Sequence, residues 1–248
     1  MKFRLLASGS KGNCCIIESN TTKLVIDCGT TKKYLTSKFE EEQFNIDEAK
    51  ALLVTHAHKD HISQLKLFND VETYASCHLE TDNYNHIEPY EEFDIDNLHI
   101  QCIPLSHDSP NTNGYIIHDS NEKLVYITDT GYVSDKNLKY IEDADYYIFE
   151  SNHDIEMLME TSRPYYIKTR ILNDEGHLCN GDSAQLLSRI ISANTKEIVL
   201  AHISAEANSC ALAANTLVEK LNEMDGVNPN IRAAKQYETI IGGNNELK

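Results

Sequence analysis

Thr55-His56-Ala57-His58-Lys59-Asp60-His61 follows directly on the apolar run Ala51-Leu52-Leu53-Val54. That run is short and aliphatic, the pattern of a buried strand. The histidines therefore fall in the loop leaving the strand's C-terminal end, where ligands and catalytic groups collect on a rigid scaffold. Alternation along extended backbone throws His56 and His58 to the same side, so both imidazoles can meet one metal ion. Asp60 and His61 lie one turn further on and can serve a second. Neutral imidazole and carboxylate suit zinc, iron or manganese. The bland alternative is a solvated loop that happens to be rich in histidine. Four potential ligands in this order at a strand end argue against it.

His56, His58, Asp60 and His61 spell H-x-H-x-D-H, which resembles the metallo-β-lactamase superfamily. The resemblance implies an α/β protein, the αββα four-layer sandwich, with two divalent metals (Zn, Mn or Fe) at one edge between the sheets. It also implies further ligands at later strand ends, and the chain offers them. His107 follows the strand-like stretch Leu98 to Leu105. Asp129 ends Leu124-Val125-Tyr126-Ile127-Thr128, and His202 ends Glu197-Ile198-Val199-Leu200-Ala201. Carried over, the first metal takes His56, His58 and His107, the second takes Asp60, His61 and His202, and Asp129 bridges. Asp27, before Cys28-Gly29, resembles the superfamily's first motif and would hold the histidine loop from behind. A turn aspartate before a glycine is the alternative.

Composition fits an ordinary enzyme. At 248 residues the chain can bury a sizeable core, and one domain over residues 1–248 is the economical reading. No run approaches a membrane span, and the N-terminus is too weakly apolar for a signal peptide. Seven cysteines without a C-x-x-C pair suit reduced thiols in the cytoplasm. Cys14, Cys15, Cys28, Cys77, Cys102 and Cys210 read as small packing residues. Charge is the awkward fact: 22 basic against 39 acidic residues give a net −17, which repels a polyanion. The acids Glu40 to Glu42 and Glu91 to Asp96 read as solvated surface.

Strand-like and helix-like segments interleave without a linker or repeat. Expected strands are Lys2 to Ala7, Cys14 to Glu18, Lys23 to Asp27, Tyr146 to Glu150, Ile231 to Ala233 and Tyr237 to Ile241. Expected helices are Thr31 to Phe39, Ile62 to Phe68 (opening just past His61), Asp135 to Ile141, Ile155 to Glu160, Gly181 to Ala193 and Ala211 to Met224.

Within the superfamily, Leu6-Ala7-Ser8-Gly9-Ser10-Lys11-Gly12-Asn13-Cys14 resembles the glycine-rich start of the bacterial YycJ (WalJ) group. Glu150-Ser151-Asn152-His153-Asp154 and Gly176-His177-Leu178-Cys179-Asn180-Gly181 are similar to its internal motifs, with Cys179 where a serine is expected. That resemblance implies a relative of RNase Z with 5′→3′ exonuclease action on DNA and a link to mismatch-repair proteins. Two metals can clamp a phosphodiester and activate a water, so no side-chain nucleophile is required. His177 resembles the extra histidine of RNase Z-type phosphodiesterases, and with Asp60 it is the catalytic candidate, as general acid or phosphate donor. Its alternative is a helix-entry histidine. Glu150 and His153 are candidates for orienting groups behind the ligands, and Lys11, Arg163, Lys168 and Arg170 for backbone phosphates. A small-molecule metallohydrolase acting on lactams, lactones or thioesters would use the same metals, but needs no Gly176-His177. Diiron oxygen reductases resemble H-x-E-x-D, and this chain has His58 there. A non-catalytic scaffold would be expected to lose ligands, and none is missing.

Overall fold

The computed structural model describes residues 1–81 and 83–244. The chain divides into two compact units whose segments interleave along the sequence. The first comprises Met1–Pro104, Ser109–Asn121 and Gln236–Lys248; the second comprises Leu105–Asp108 and Glu122–Lys235.

In the first unit, β1 (Lys2–Ala7), β2 (Cys14–Ser19) and β3 (Thr22–Ile26) form an antiparallel meander. The β2–β3 turn is tight because Asn20 accepts φ +52°, a left-handed conformation its short polar side chain tolerates. After α1 (Lys32–Glu41), capped by Thr31 Oγ1 accepting from Tyr34 N, β4 (Ala51–Val54) joins β3 in parallel. All four β4 residues are buried, as expected of a strand covered on both faces. After α2 (Lys59–Ile62), β5 (Glu72–Ala75) and β6 (Asn85–His86) extend the parallel part. β7 (Glu92–Ile95), β8 (Leu98–Pro104) and β9 (Asn113–His118) pair antiparallel. Leu6, Cys14, Cys28, Leu35, Phe39, Leu52 and Phe68 belong to one buried cluster, so these two cysteines act as packing residues.

The second unit alternates strand and helix: β10 (Lys123–Ile127), α3 (Asp135–Ile141), β11 (Tyr146–Glu150), α4 (Ile155–Glu160), α5 (Tyr165–Leu172), α6 (Asn180–Ile190), β12 (Glu197–Ala201), α7 (Cys210–Leu221) and β13 (Asn230–Ala233). β10 to β13 pair in parallel in chain order. Parallel strands need crossover connections, and α3 to α7 supply them. The last strand, β14 (Ile240–Gly243), belongs to the first unit and pairs antiparallel with β1.

Two expected elements are displaced: the closing strand read over Tyr237 to Ile241 begins only at Ile240, after a turn at Gln236 and Tyr237, and a helix starts early. The helix read as opening past His61 opens earlier, with Asp60 and His61 inside α2 and a separate 3₁₀ turn over Leu65–Phe68. His58 keeps extended backbone at the N-cap (φ −67°, ψ 148°), and its carbonyl accepts from His61 N at 2.9 Å. Among the described residues, no helix is long and apolar enough to cross a membrane, and no disulfide joins any two cysteines.

Candidate metal centre

Each unit carries its own set of ligand-type side chains at strand ends. In the first unit, β4 ends at Val54 and delivers Thr55, His56 and His58, and α2 then delivers Asp60 and His61. The rings of His56 and His58 lie 4.7 Å apart, and those of His56 and His61 4.0 Å. His61 Nε2 is 3.7 Å from Asp60 Oδ2. Behind them sits Asp27, fully buried at the end of β3 with φ +58°. Its Oδ1 accepts from Thr55 N (2.8 Å), and its Oδ2 accepts from Thr55 Oγ1 (2.9 Å) and His61 Nδ1 (2.7 Å). Burial pushes the Asp27 pKa up, against the pull of His61 and the Thr55 bonds. The glycine-rich opening closes over this loop. Asn13 N donates to Asp60 O at 2.8 Å, and Asn13 Nδ2 lies 2.9 Å from His61 Nε2. The approach is possible because Gly29 has no Cβ; one there would lie 1.6 Å from Asp60 O.

In the second unit, Asp129 follows β10, Glu150 ends β11 and His202 follows β12, while His107 and His177 come from loops. Asp129 and His202 repeat the left-handed backbone of Asp27, at φ +58° and +54°. Non-glycine residues held this way are strained and concentrate at functional sites. Asp129 Oδ1 lies 3.4 Å from His202 Nε2 and 3.9 Å from His107 Nε2, and thus near both imidazoles. Asp129, Glu150, His177 and His202 each bring a ligand atom within 4.8 Å of the others. Burial lowers the His107 pKa and favours the neutral ring a metal requires.

Glu150 is the hub of this set. It is fully buried and accepts from His177 Nδ1 (2.8 Å), His202 Nδ1 (2.9 Å), Thr130 N (2.8 Å) and Leu178 N (3.4 Å). Burial alone would raise its pKa, but His177 and His202 opposite hold it down at about 2. His107 Nδ1 donates to Gly176 O at 3.1 Å. One pattern therefore recurs. The Nδ1–H of His61, His107, His177 and His202 is taken by a carboxylate or carbonyl, which leaves Nε2 as the nitrogen with the lone pair. Metal-binding histidines are held by this arrangement, so the donor set fits divalent ions.

The other sequence candidates fall as follows. The His153 ring is buried, and among the described residues neither nitrogen has a hydrogen-bond partner. Its contribution is through the backbone, where His153 O accepts from Asn180 N at 2.8 Å, so the expected orienting role of its side chain is not seen. Its pKa is lowered to about 4 by burial. Lys168 is a correction. Expected to meet phosphates, it is buried with Nζ donating to Met159 O (2.6 Å) and Thr161 O (2.8 Å), because α5 packs on that side. Arg170 is exposed and pairs with Asp108; Arg163 pairs with Glu206 at 2.9 Å; Lys11 is exposed. Cys179 caps α6 as a serine would, its Sγ accepting from Asp182 N at 3.4 Å. Sequence reasoning left Thr55, Asn13 and Asn152 without roles, although Thr55 adjoins the histidines and Asn13 ends the glycine loop. Asn152 Nδ2 donates to His202 O at 2.8 Å.

Residues 22–203 match the family model of the beta-lactamase superfamily domain, and the chain belongs to the metallo-β-lactamase superfamily, in its YycJ/WalJ group. It is 35% identical to exodeoxyribonuclease YycJ of Bacillus anthracis over 237 residues, 90% of each chain. To exodeoxyribonuclease WalJ of Streptococcus pneumoniae serotype 2 (strain D39) it is 34% identical over 242 residues, covering 90% of this chain and 89% of the relative. The crystal structure of the metallo-β-lactamase fold protein YhfI from Bacillus subtilis superposes with a TM-score of 0.70 at 16% identity, covering 96% of this chain and 98% of that one. The last likeness concerns fold alone, and it is the fold class expected from the sequence.

Proposed function

We propose that this protein is a binuclear metal-dependent phosphodiesterase that degrades DNA from the 5′ end, as one catalytic domain. His56, His58 and His107 would hold one divalent ion, Asp60, His61 and His202 the other, with Asp129 shared. When bound, such ions supply Lewis acidity to a phosphodiester and lower the pKa of a water molecule. Zinc, manganese and iron all suit this donor set.

The observation that carries the reading is His177. It stands among Asp129, Glu150 and His202, and the ligand set proposed above does not use it. Its ring centroid is 5.1 Å from that of His202 and 5.2 Å from that of His107, and its side chain is one-fifth exposed, so substrate can reach it. Glu150 holds Nδ1–H, so Nε2, once protonated to give the imidazolium, is the atom that would pass a proton to the leaving oxygen. A phosphodiester, whose alkoxide leaving group needs a proton, gives this histidine a role. The names of the two exodeoxyribonuclease relatives support DNA as substrate. A cytoplasmic setting, with mismatch-repair proteins as partners, belongs to the same proposal, supported by the family resemblance and by the absence of disulfides among the described residues.

Elemental analysis and DNA hydrolysis test it together. Asp129→Ala should lose both ions, and His58→Ala should lose turnover. Full double occupancy in Asp129→Ala overturns the ligand assignment.

A further inference from the structure

A chain of net charge −17 needs a means of holding a polyanion besides bulk attraction. The segment Thr161-Ser162-Arg163-Pro164-Tyr165-Tyr166-Ile167-Lys168-Thr169-Arg170-Ile171-Leu172 contains three basic residues and no acid. It also carries the two most exposed large hydrophobic side chains among the described residues, Tyr165 at 71% and Tyr166 at 70%. These rings are left outside because the inner face of α5 is already committed. Ile167 and Ile171 pack with Leu158 and Ala207, and Lys168 is tied to two carbonyls. The outer face is Tyr165, Tyr166, Thr169 and Arg170.

That outer face is coupled to the reactive residues of its own unit. Tyr166 and Arg170 are four apart, hence stacked on one face of the helix about 6 Å from each other along its axis. The Arg170 guanidinium pairs with Asp108, whose Oδ1 lies 3.4 Å from His107 Nε2. At its C-terminal end α5 lies directly against the His177 loop. His177 N donates to Ile171 O at 2.9 Å, and a Cβ on Gly176 would meet Ile171 O at 2.1 Å and Arg170 O at 2.5 Å. A ligand laid along Tyr166 and Arg170 is thus led toward His107 and His177.

We infer that the outer face of α5 is a stacking platform for the bases of single-stranded DNA, with Tyr165 and Tyr166 as the stacking rings and Arg170 as a phosphate contact beside them. Aromatic rings accept any base, which suits a nuclease that ignores sequence, and stacking does not depend on net charge. Arg170 would exchange its partner Asp108 for a phosphate as the strand arrives, keeping a charge-assisted bond throughout. The inference rests on the nucleic-acid reading of the site.

Two measurements test it separately from that reading. The first is fluorescence anisotropy of a labelled, 5′-phosphorylated oligothymidylate with the metal-loaded, slow-turnover His177→Ala protein, with or without the further changes Tyr165→Ala and Tyr166→Ala. Each ring should contribute about fivefold to 150-fold in affinity. Tyr→Phe at either position should keep the affinity, and an oligonucleotide of abasic residues should show no difference between tyrosine and alanine. The second is degradation of the same oligonucleotide by the enzyme that retains His177, where the alanine changes should raise KM. Degradation with alanine variants that bind and cleave as tightly as the parent overturns the platform and leaves the nuclease intact. Absence of any DNA binding or cleavage overturns both. Equal affinity, accompanied by a dimer that dissociates in the alanine variants by sedimentation, assigns the tyrosines to self-association and also overturns the platform.

Discussion

Glutamine at position 150 keeps the shape of the side chain and removes its charge. Four donors converge on the Glu150 carboxylate: the Nδ1–H groups of His177 and His202, and the N–H groups of Thr130 and Leu178. An amide offers one oxygen for all four and turns its own N–H₂ toward an imidazole N–H. The carboxyl is held from 4.5 down to about 2 in the folded protein, a preference for the ionised form on the order of 3 kcal/mol. Glu150→Gln should therefore destabilise the metal-free protein by about 3 kcal/mol at pH 7, or lower Tm by roughly 6–12 °C for a chain of this size. The sign with pH follows from the lowered folded pKa. The stabilisation is complete above the ordinary value of 4.5 and is lost as pH falls toward 2. Urea denaturation in EDTA at pH 7, 5 and 3.5 should give a gap between the two proteins that is constant at the first two and shrinks at the third. The reasoning is refuted by equal stability at pH 7, or by a gap that widens in acid.

Three further outcomes are expected. Gly29→Ala sets a Cβ 1.6 Å from Asp60 O, so the Asp60-His61 turn must move and metal content should fall below two ions; unchanged content by elemental analysis contradicts it. Cys179→Ser should leave stability within about 0.5 kcal/mol, while Cys179→Ala loses the α6 cap and about 1 kcal/mol; equal effects in urea titration would deny the thiol its capping role. His177→Ala should keep its metals and fold but lose on the order of 10²-fold in turnover, with a much smaller loss on a p-nitrophenyl ester, whose leaving group needs little protonation. Loss of metal would instead make His177 a ligand.

The strand ends that carry ligand-type residues are readable from the sequence because buried parallel strands are continuous apolar runs, and His56, Asp129, Glu150 and His202 sit at or just past the ends of such runs, whereas His107 and His177 come from loops. Ala51–Val54, Tyr146–Glu150 and Glu197–Ala201 match the expected segments. β7 was not readable, because its acids Glu92 and Asp94 face outward while Phe93 and Ile95 turn in, and the charge masks the alternation. β5 and β9 lacked a run long enough to stand out. α5 was missed because Pro164 caps it without a side-chain bond and its exposed tyrosines blur the amphipathic pattern. Within the site, ligand-type residues could be named from spacing and resemblance. The support behind them could not, since Glu150 meets His177 and His202 across 27 and 52 positions of sequence. For His153 the motif suggested a working side chain, and the fold uses its carbonyl.

The most direct measurement is one time course with the metal-loaded protein on a 5′-labelled DNA strand, a 3′-labelled copy, a β-lactam and a thioester, side by side. Release of mononucleotide from the 5′-labelled strand ahead of any shortening at the 3′ end, with the lactam and thioester intact, is the expected result. A protein that carries two ions yet hydrolyses the lactam or thioester, and leaves both DNA strands whole, would contradict it.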